Sequence, residues 1–376
     1  MSLIHNAAHD LYYKNNVNKS VPYRFLKNRG INDLSIEKFK LGYSFEPFKL
    51  YDTLKKLYSW EDIKDSNLFN IKENEKGAIY FDRFVTFITI PLLQNNNIVS
   101  YTSRRVNNEY PKHLHLSGGF NLPYNSNTIC KHNILLIVES PLDAIILEQE
   151  GFSAISVFGA NGINKEQISY INNFKGKIVW LFDNEKKMII TKGIKKSFNP
   201  GQEGALKSAL FLWKELQKES FIGILPYYDE ALQKVDITSL FLYNKETFYN
   251  TIKQVIENSI PYKTTFHFQR YEEKVKKKQE KVYEKELLMD QIKNYPLIKL
   301  LKDYINIEET GFGGQALCPF HEETKGSFTI YNNTNHYICF GCGQKGDFIE
   351  FIRKYYDVDF KRAIEKIKEN YRHLFV

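Results

Sequence analysis

The sequence lacks any run of 18 or more consecutive apolar residues, and its first residues do not show the basic-then-apolar pattern of a secretory signal. We therefore expect a cytoplasmic protein with no membrane partner. Cysteine is also scarce, with four residues in 376. Three of the four lie close together beside a histidine, which favours a metal site and argues against a disulfide-bonded scaffold.

The composition is that of an ordinary soluble globular protein, with 43% hydrophobic and 26% charged residues. At roughly 150 residues per domain, a chain of 376 residues predicts two to three domains. Lysine and arginine number 52 against 44 aspartates and glutamates, a net charge of +8. This excess is compatible with a polyanionic partner but does not establish one.

Residues 1–130 mix helical and strand patterns, which predicts an α+β subdomain. Its clearest element is a β-hairpin. The β-branched and aromatic residues of Tyr80–Leu93 predict the first strand, Asn95–Asn97 the turn, and Ile98–Val106 the returning strand.

Residues 131–245 alternate short apolar runs with helical patterns. The first run, Ile134–Val138, has the continuous apolar character of a strand that is buried on both faces. Further strands are predicted at 154–157, 177–182 and 221–225, with helices at 141–150, 165–174 and 202–218. This alternation predicts an α/β domain built on a parallel sheet.

The remaining chain divides into a charged segment and a small final domain. Residues 246–294 are predicted to form a helical linker, because the charges of Arg270–Asp290 nearly cancel and its apolar line is thin. Residues 295–376 are predicted to form a zinc-binding domain that ends in an amphipathic helix, Phe360–Tyr371.

The zinc prediction rests on paired ligand spacing. Cys318 and His321 form a C-x-x-H pair, and after 17 intervening residues Cys339 and Cys342 form a C-x-x-C pair. Three thiolates and one imidazole fill a tetrahedral Zn²⁺ shell and leave no position for a substrate, so the site should be structural.

The segment Ala316–Ile352, which contains these ligands, resembles the zinc-binding domain of bacterial replicative primases. The family normally carries this domain first, whereas here it comes last. In the family the domain helps to contact single-stranded template. The aromatic residues Phe328, Tyr331 and Tyr337 could stack on bases, but a place in the domain core is an equally good interpretation.

Acidic residues follow the predicted strands of the parallel sheet. Glu139 ends the first strand, Asp183 and Glu185 follow the third, and Asp236 lies after the fourth. Because the carboxyl ends of parallel strands meet at one edge, these acids should converge there. Such a cluster needs a cation and suits Mg²⁺ or Mn²⁺.

The order of Glu139 and then Asp183-Asn184-Glu185 resembles the TOPRIM domain of primases, topoisomerases and some nucleases. The resemblance implies that Glu139, Asp183 and Glu185 are catalytic and that Asp236 completes the metal site. Where the family has a second acid after Asp236, this chain has Thr238, which lowers the negative charge of the site. An inactive sheet with solvated loop acids is the alternative interpretation.

Two further segments, Pro22–Ser44 and Phe81–Gly118, resemble the start of the primase catalytic core and the basic strand pair that precedes its TOPRIM part. The resemblance implies that basic residues of the second segment line a groove for template and nucleotide. These residues are Arg83, Arg104 or Arg105, and Lys112.

The resemblance as a whole implies a DNA-dependent primase that synthesises short primers on single-stranded DNA from NTPs. A replicative helicase is a possible further partner, although no helicase-binding domain is evident, and the rearranged domain order suggests a mobile element. A TOPRIM nuclease and a non-catalytic single-strand-binding protein remain alternatives. A topoisomerase is disfavoured because no domain suited to carrying a strand-cleaving tyrosine is evident.

Overall fold

The computed structural model describes residues 2–14, 20–74, 77–107, 109–116, 121–191, 194–229 and 231–374. Two compact units divide the chain, Met1–Gln269 and Arg270–Val376. Each unit contains a hydrophobic core of its own. Among the described residues, no helix is both long and apolar enough to cross a membrane.

The first unit begins with short helices and antiparallel strands. They are α1 (Ser2–Lys14), α2 (Val21–Asn28), α3 (Asp33–Lys38), β1 (Gly42–Tyr43), α4 (Lys49–Leu54), α5 (Trp60–Asp65), β2 (Phe69–Asn74), β3 (Gly77–Asp82), β4 (Phe87–Gln94) and β5 (Asn97–Arg105). β1, β4 and β5 form one antiparallel sheet, and β2 pairs with β3.

The predicted hairpin is confirmed as β4 and β5. Asn95 and Asn96 connect the two strands with φ angles of 50° and 63°, the left-handed conformation that a tight hairpin turn requires. The predicted first strand starts too early, because Tyr80–Asp82 belongs to β3 and pairs with β2.

The second half of the first unit carries the main sheet. Its elements are β6 (Ile134–Val138), α6 (Pro141–Gln149), β7 (Ala154–Ser156), α7 (Lys165–Ser169), β8 (Lys177–Trp180), β9 (Asn184–Glu185), β10 (Lys187–Thr191), β11 (Ile194–Phe198), α8 (Pro200–Leu216), β12 (Phe221–Ile222), β13 (Lys234–Val235), α9 (Ile237–Tyr243), α10 (Lys245–Glu257) and β14 (Ile260–Pro261). The strand order is β14-β12-β8-β6-β7, with all but β14 parallel. The predicted α/β fold with a parallel sheet is confirmed.

The first unit extends past the predicted domain boundary at residue 245. α10 buries Phe248, Ile252 and Ile256 in the same core as Val138 of β6 and Val179 of β8. Residues 246–269, which the sequence pattern assigned to a linker, therefore belong to the first unit. Their apolar spacing marks a helix with one buried face rather than a solvated one.

The second unit is built around an antiparallel sheet. After α11 (Phe266–Asn294), which begins in the first unit, come α12 (Leu297–Leu301), β15 (Glu308–Thr310), β16 (Gly313–Ala316), β17 (Phe328–Tyr331), β18 (His336–Cys339), β19 (Lys345–Gly346), α13 (Phe348–Tyr355) and α14 (Phe360–Asn370). The five strands follow in sequence order. Leu288 and Ile292 of α11 are buried in the core of this unit, so the predicted linker helix is part of it at its carboxyl end.

Candidate active site and zinc centre

Acidic side chains of the first unit converge at the carboxyl ends of β6 and β8. Glu139 follows β6 directly, and Asp183 lies three residues after the end of β8. The backbone N–H of Asp183 donates to Oε1 of Glu139 at 3.2 Å, so these acids are neighbours. Asp236 caps α9 and accepts a hydrogen bond from the Ser239 N–H at 2.7 Å.

A cavity of about 530 Å³ joins these acids to basic side chains. Of the eight residues predicted for the acid site and the basic groove, it brings together Glu139, Asp183, Asp236, Arg104 and Lys112. Its complete lining is Arg29, Arg104, Lys112, His113, His115, Glu139, Ser140, Pro141, Asp143, Phe158, Gly159, Asp183, Lys234 and Asp236. The cavity therefore has an acidic side and a basic side.

Glu185 lies beside the cavity without lining it. Its Oε1 is 2.9 Å from Nζ of Lys187. Its charge nevertheless contributes to raising the pKa of both Glu139 and Asp183, so the carboxylate is close to theirs.

Burial shifts the titration of the acids. Removal from water, followed by the charge of Asp183, raises the pKa of Glu139 to about 7. Burial also raises the pKa of Asp183, against the opposing effect of Lys234, whose Nζ is 2.5 Å from Oδ2 of Asp183. Ionised acids in this setting are costly without a cation, and their oxygen ligands are those that Mg²⁺ and Mn²⁺ prefer.

Asp143, one turn into α6 from Glu139, is also buried at the cavity wall. Burial, followed by the charges of Asp236 and Asp183, raises its pKa well above the ordinary value. Oδ1 of Asp143 accepts hydrogen bonds from both the N–H and the hydroxyl of Thr238. Thr238, at the position where the sequence analysis noted a missing acid, thus hydrogen-bonds to the acid Asp143.

The amino terminus of α8 packs closely against this site at Gly201. A Cβ atom at this position would lie 2.1 Å from the Asp183 carbonyl oxygen and 2.9 Å from Oε1 of Glu139. Only glycine therefore fits between helix and acids. The sequence analysis did not identify Gly201, although the Pro200-Gly201 pair at a predicted helix start is a signal for close approach.

Strand alternation separates the two adjacent arginines of β5. Arg104 faces the cavity, and its Nη1 is 2.7 Å from Nε2 of His113. Arg105 is not in the cavity lining, and its side chain lies over the ring of Phe87 and forms an ion pair with Glu109 at 2.8 Å. The sequence analysis left the choice between them open, and the cavity favours Arg104.

Arg83 is likewise not among the residues that line the cavity. Its Nε lies 3.5 Å from Oδ1 of Asn70, on the neighbouring strand β2. The cavity instead contains Arg29, just after α2, and Lys234, just before Asp236. The sequence analysis missed both, because an isolated basic residue has no pattern that marks it.

His113 and His115 complete the basic side of the cavity. Removal from water and the charge of Arg104 lower the pKa of His113 to about 4. A neutral His113 whose Nδ1–H donates to the Ser103 carbonyl, 3.1 Å away, has Nε2 free to accept from Arg104. This arrangement holds the Arg104 guanidinium at the cavity wall.

In the second unit, the predicted zinc ligands are brought together. The ligand atoms of Cys318, His321, Cys339 and Cys342 all lie within 4.8 Å of one another. The Sγ atoms of Cys318 and Cys342 are 3.8 Å apart, the separation expected for two thiolates on one tetrahedral Zn²⁺. A Cβ at position 341 would lie 2.5 Å from Nε2 of His321, so the knuckle requires Gly341.

Glu323 orients the ligands without contacting the ion site itself. Its Oε2 is 3.1 Å from Nε2 of His321, which leaves Nδ1 to face the thiolates. Its Oε1 accepts from the backbone N–H groups of Cys318 at 2.7 Å and Ser327 at 3.0 Å. Hydrogen bonds from Ser327 are the main reason that the pKa of Glu323 is about 2. The sequence analysis missed this residue, although it lies two positions after a ligand.

Two of the aromatic residues considered as base platforms are core residues. Phe328 and Tyr337 are fully buried, and their rings stack with centroids 4.6 Å apart. The stacking interpretation is therefore wrong for both, since a buried ring cannot receive a base. The exposed aromatic rings of this unit include Phe312, 87% exposed, and Phe340, 69% exposed.

Residues 11–117 match the family described as DNA primase catalytic core, N-terminal domain, and residues 283–375 match the family described as CHC2 zinc finger. Two segments of the chain are thus similar to modules of DnaG-type primases. The catalytic module comes first and the zinc module last, in agreement with the order read from the sequence. The Cys/His cluster is accordingly a structural zinc site.

Individual relatives match parts of the chain. The DNA primase of Thermotoga maritima is 37% identical over 71 residues, which are 19% of this chain and 13% of that protein. The DNA primase of Buchnera aphidicola is 31% identical over 192 residues, which are 47% of this chain and 32% of that protein. The chain thus spans at most about a third of the length of these curated relatives.

Solved primase structures share the fold. The Aquifex aeolicus primase, with zinc-binding and RNA polymerase domains, matches with a TM-score of 0.57 at 17% identity over 69% of this chain and 61% of that one. A DnaG primase catalytic domain bound to single-stranded DNA matches with a TM-score of 0.54 at 15% identity over 69% and 79%. The chain therefore has the fold of primase catalytic cores.

Proposed function

We propose that this protein is a DNA-dependent primase-like nucleotidyltransferase that joins NTPs into short primers on single-stranded DNA. The observation that carries the proposal is the cavity in which Glu139, Asp183 and Asp236 face Arg104 and Lys112. Phosphoryl transfer needs positive charge for the triphosphate and a metal site beside it, and this cavity offers donors for both.

On this proposal the parallel sheet is a TOPRIM domain, and Glu139, Asp183, Glu185 and Asp236 hold Mg²⁺ or Mn²⁺. When bound, the ion would activate a 3′-hydroxyl and neutralise charge on the α-phosphate. Asp143 and Thr238 position the loops that carry Glu139 and Asp236. Lys234 pairs with Asp183, and with an ion held by the acids its ammonium group would be available to a substrate phosphate.

The basic side of the cavity would bind and orient substrate. Arg104, held by His113, presents a guanidinium fork to phosphate oxygens, and Lys112 and Arg29 add point charges nearby. In the second unit, the exposed rings of Phe312 and Phe340 offer surfaces on which bases of a single strand stack. Template and NTPs are thus the proposed partners. A replicative helicase and a mobile-element origin remain further proposals.

The test is to measure NTP incorporation on a single-stranded template while following degradation of the same template. We expect incorporation that requires a divalent ion and is lost in Glu139→Gln, with the template left intact. Template degradation without incorporation would instead identify a TOPRIM nuclease. Binding without either reaction would identify a single-strand-binding protein, the alternative that the missing acid at Thr238 would favour.

A further inference from the structure

The β10–β11 hairpin is the least buried element beside the acid cavity. Five residue pairs join its strands, and none of its described side chains is buried. Met188 is 66% exposed and Ile190 69% exposed. A two-stranded hairpin is only marginally stable in water, and contiguous exposed apolar side chains mark a contact surface.

The two faces of this hairpin differ. Lys187 lies on the face that contacts the body of the unit, through its ion pair with Glu185 at 2.9 Å. Met188 and Ile190 lie on the opposite face, because side chains alternate along a strand. Their cross-strand partners there are Ser197 and Lys195. The outward face is therefore aliphatic with a lysine beside it.

The charge of this segment favours a polyanion. Between Glu185 and Glu203 the sequence has five lysines and no acidic residue. The hairpin begins at the cavity, since the N–H of Lys186 donates to the Gln233 carbonyl at 2.6 Å, next to Lys234 of the cavity wall. A nucleic acid that occupied the cavity would pass this hairpin.

The type of side chain selects the form of nucleic acid. Bases of a single strand stack on aromatic rings, and the described side chains of the outward face include none. Aliphatic residues such as Met and Ile act instead at duplexes, where they contact the minor groove and wedge between base steps. Lysine beside them meets the flanking phosphates.

We propose that Met188 and Ile190 bind the minor groove of the short duplex that template and primer form next to the cavity, with Lys195 on its phosphate backbone. The proposal rests on the proposed function for the origin of that duplex. Its test, however, needs neither NTPs nor metal, so a failure of primer synthesis leaves the result interpretable.

The experiment compares the full-length protein with Met188→Ser/Ile190→Ser and with the conservative control Met188→Leu/Ile190→Val. Fluorescence anisotropy in EDTA measures binding to a short RNA–DNA duplex with a template overhang and to the template strand alone. We expect the serine variant to bind the duplex about tenfold more weakly and the single strand as before. The control should bind both like the unaltered protein.

Lys195→Gln should make the plot of log duplex affinity against log salt concentration less steep, by the amount expected for the loss of about one phosphate contact. Because the altered side chains are exposed, thermal unfolding should not change, which separates lost contact from lost folding. Equal weakening on duplex and single strand would overturn the proposal. So would undiminished duplex binding by the serine variant, the result expected if the hairpin contacts a partner protein.

Discussion

Thr238 donates two hydrogen bonds to one buried oxygen, Oδ1 of Asp143, from its N–H at 3.1 Å and from its hydroxyl at 2.7 Å. Asp143 belongs to α6, which begins just after Glu139, and Thr238 belongs to α9, which begins just after Asp236. The pair therefore links the helices behind two of the acids and sets the spacing between the loops that carry them.

We expect Thr238→Val, which keeps the side-chain shape but removes the hydroxyl, to lower the free energy of unfolding by about 1–3 kcal/mol. The cause is a buried carboxyl that loses one of its donors. Urea denaturation measures this change. Thr238→Ser retains the hydroxyl and should lose less than half as much. If the valine and serine variants are equally stable, the hydroxyl contributes nothing to the link.

The raised pKa of Glu139 predicts a pH-dependent stability in EDTA. Because its pKa in the folded protein is about 7, against an ordinary 4.5, its ionisation opposes folding. The free energy of unfolding should therefore fall as the pH rises from the ordinary pKa of 4.5 to the folded-state pKa of about 7. Glu139→Gln does not titrate, so the free energy of unfolding of this variant minus that of the unaltered protein should increase by up to about 3 kcal/mol over the same pH range.

Comparison with the glutamine variant removes from the difference the contributions of groups that do not interact with Glu139. Saturating Mg²⁺ should reduce the effect, because the ion favours the ionised acids. Parallel stability curves for the two proteins in EDTA would show that Glu139 titrates normally and that burial does not perturb it.

Arg104 and Arg105 provide a matched pair for the binding side of the cavity. We expect Arg104→Gln to weaken binding of single-stranded DNA and to reduce its salt dependence by about one phosphate contact. Arg105→Gln should retain binding, because its guanidinium already pairs with Glu109. Filter binding over a range of salt concentrations measures both. The reverse order of effects would place Arg105, rather than Arg104, in the groove.

Glu323→Gln tests the support of the zinc site. Removing the charge that orients His321 should lower Zn²⁺ affinity by about 10- to 100-fold, while one zinc per chain still binds at saturation. Competition with a chromogenic chelator measures the affinity. Glu322→Gln is the matched control, because this neighbouring acid is exposed and should have no effect. If the two variants bind Zn²⁺ with equal affinity, Glu323 does not support the zinc ligands and its hydrogen bonds serve only the local fold.

Local sequence patterns predicted the elements that depend on local physics. The apolar run Ile134–Val138 indicated a buried parallel strand because both of its faces avoid water, and β6 has these bounds. Paired spacing predicted the zinc cluster because two knuckles need only a few residues each. The convergence of Glu139 and Asp183 followed from strand direction. Asp236 reaches the same cavity from β13, which pairs antiparallel with β9 outside the parallel sheet.

Contacts between distant segments could not be predicted in this way. Arg29 reaches the cavity from the end of α2, more than 100 residues before Asp143, and no periodicity links the two. The choice between Arg104 and Arg105 depended on which face of β5 meets the cavity. The sequence left Phe328 open between a base-stacking ring and a core ring, because composition does not show which side of a small sheet is covered; the structure buries it.

Gly201 constrains the geometry of the acid site more than any neighbouring position of α8 that is exposed. With the Asp183 carbonyl and Glu139 Oε1 both too close to admit a Cβ, any side chain must push α8 outward or spread the acids. In a library randomised across positions 200–206, position 201 should return glycine alone among active clones, while exposed positions of the same helix tolerate many residues. A change in the spacing between Glu139 and Asp183 at this point therefore requires a displacement of the whole of α8.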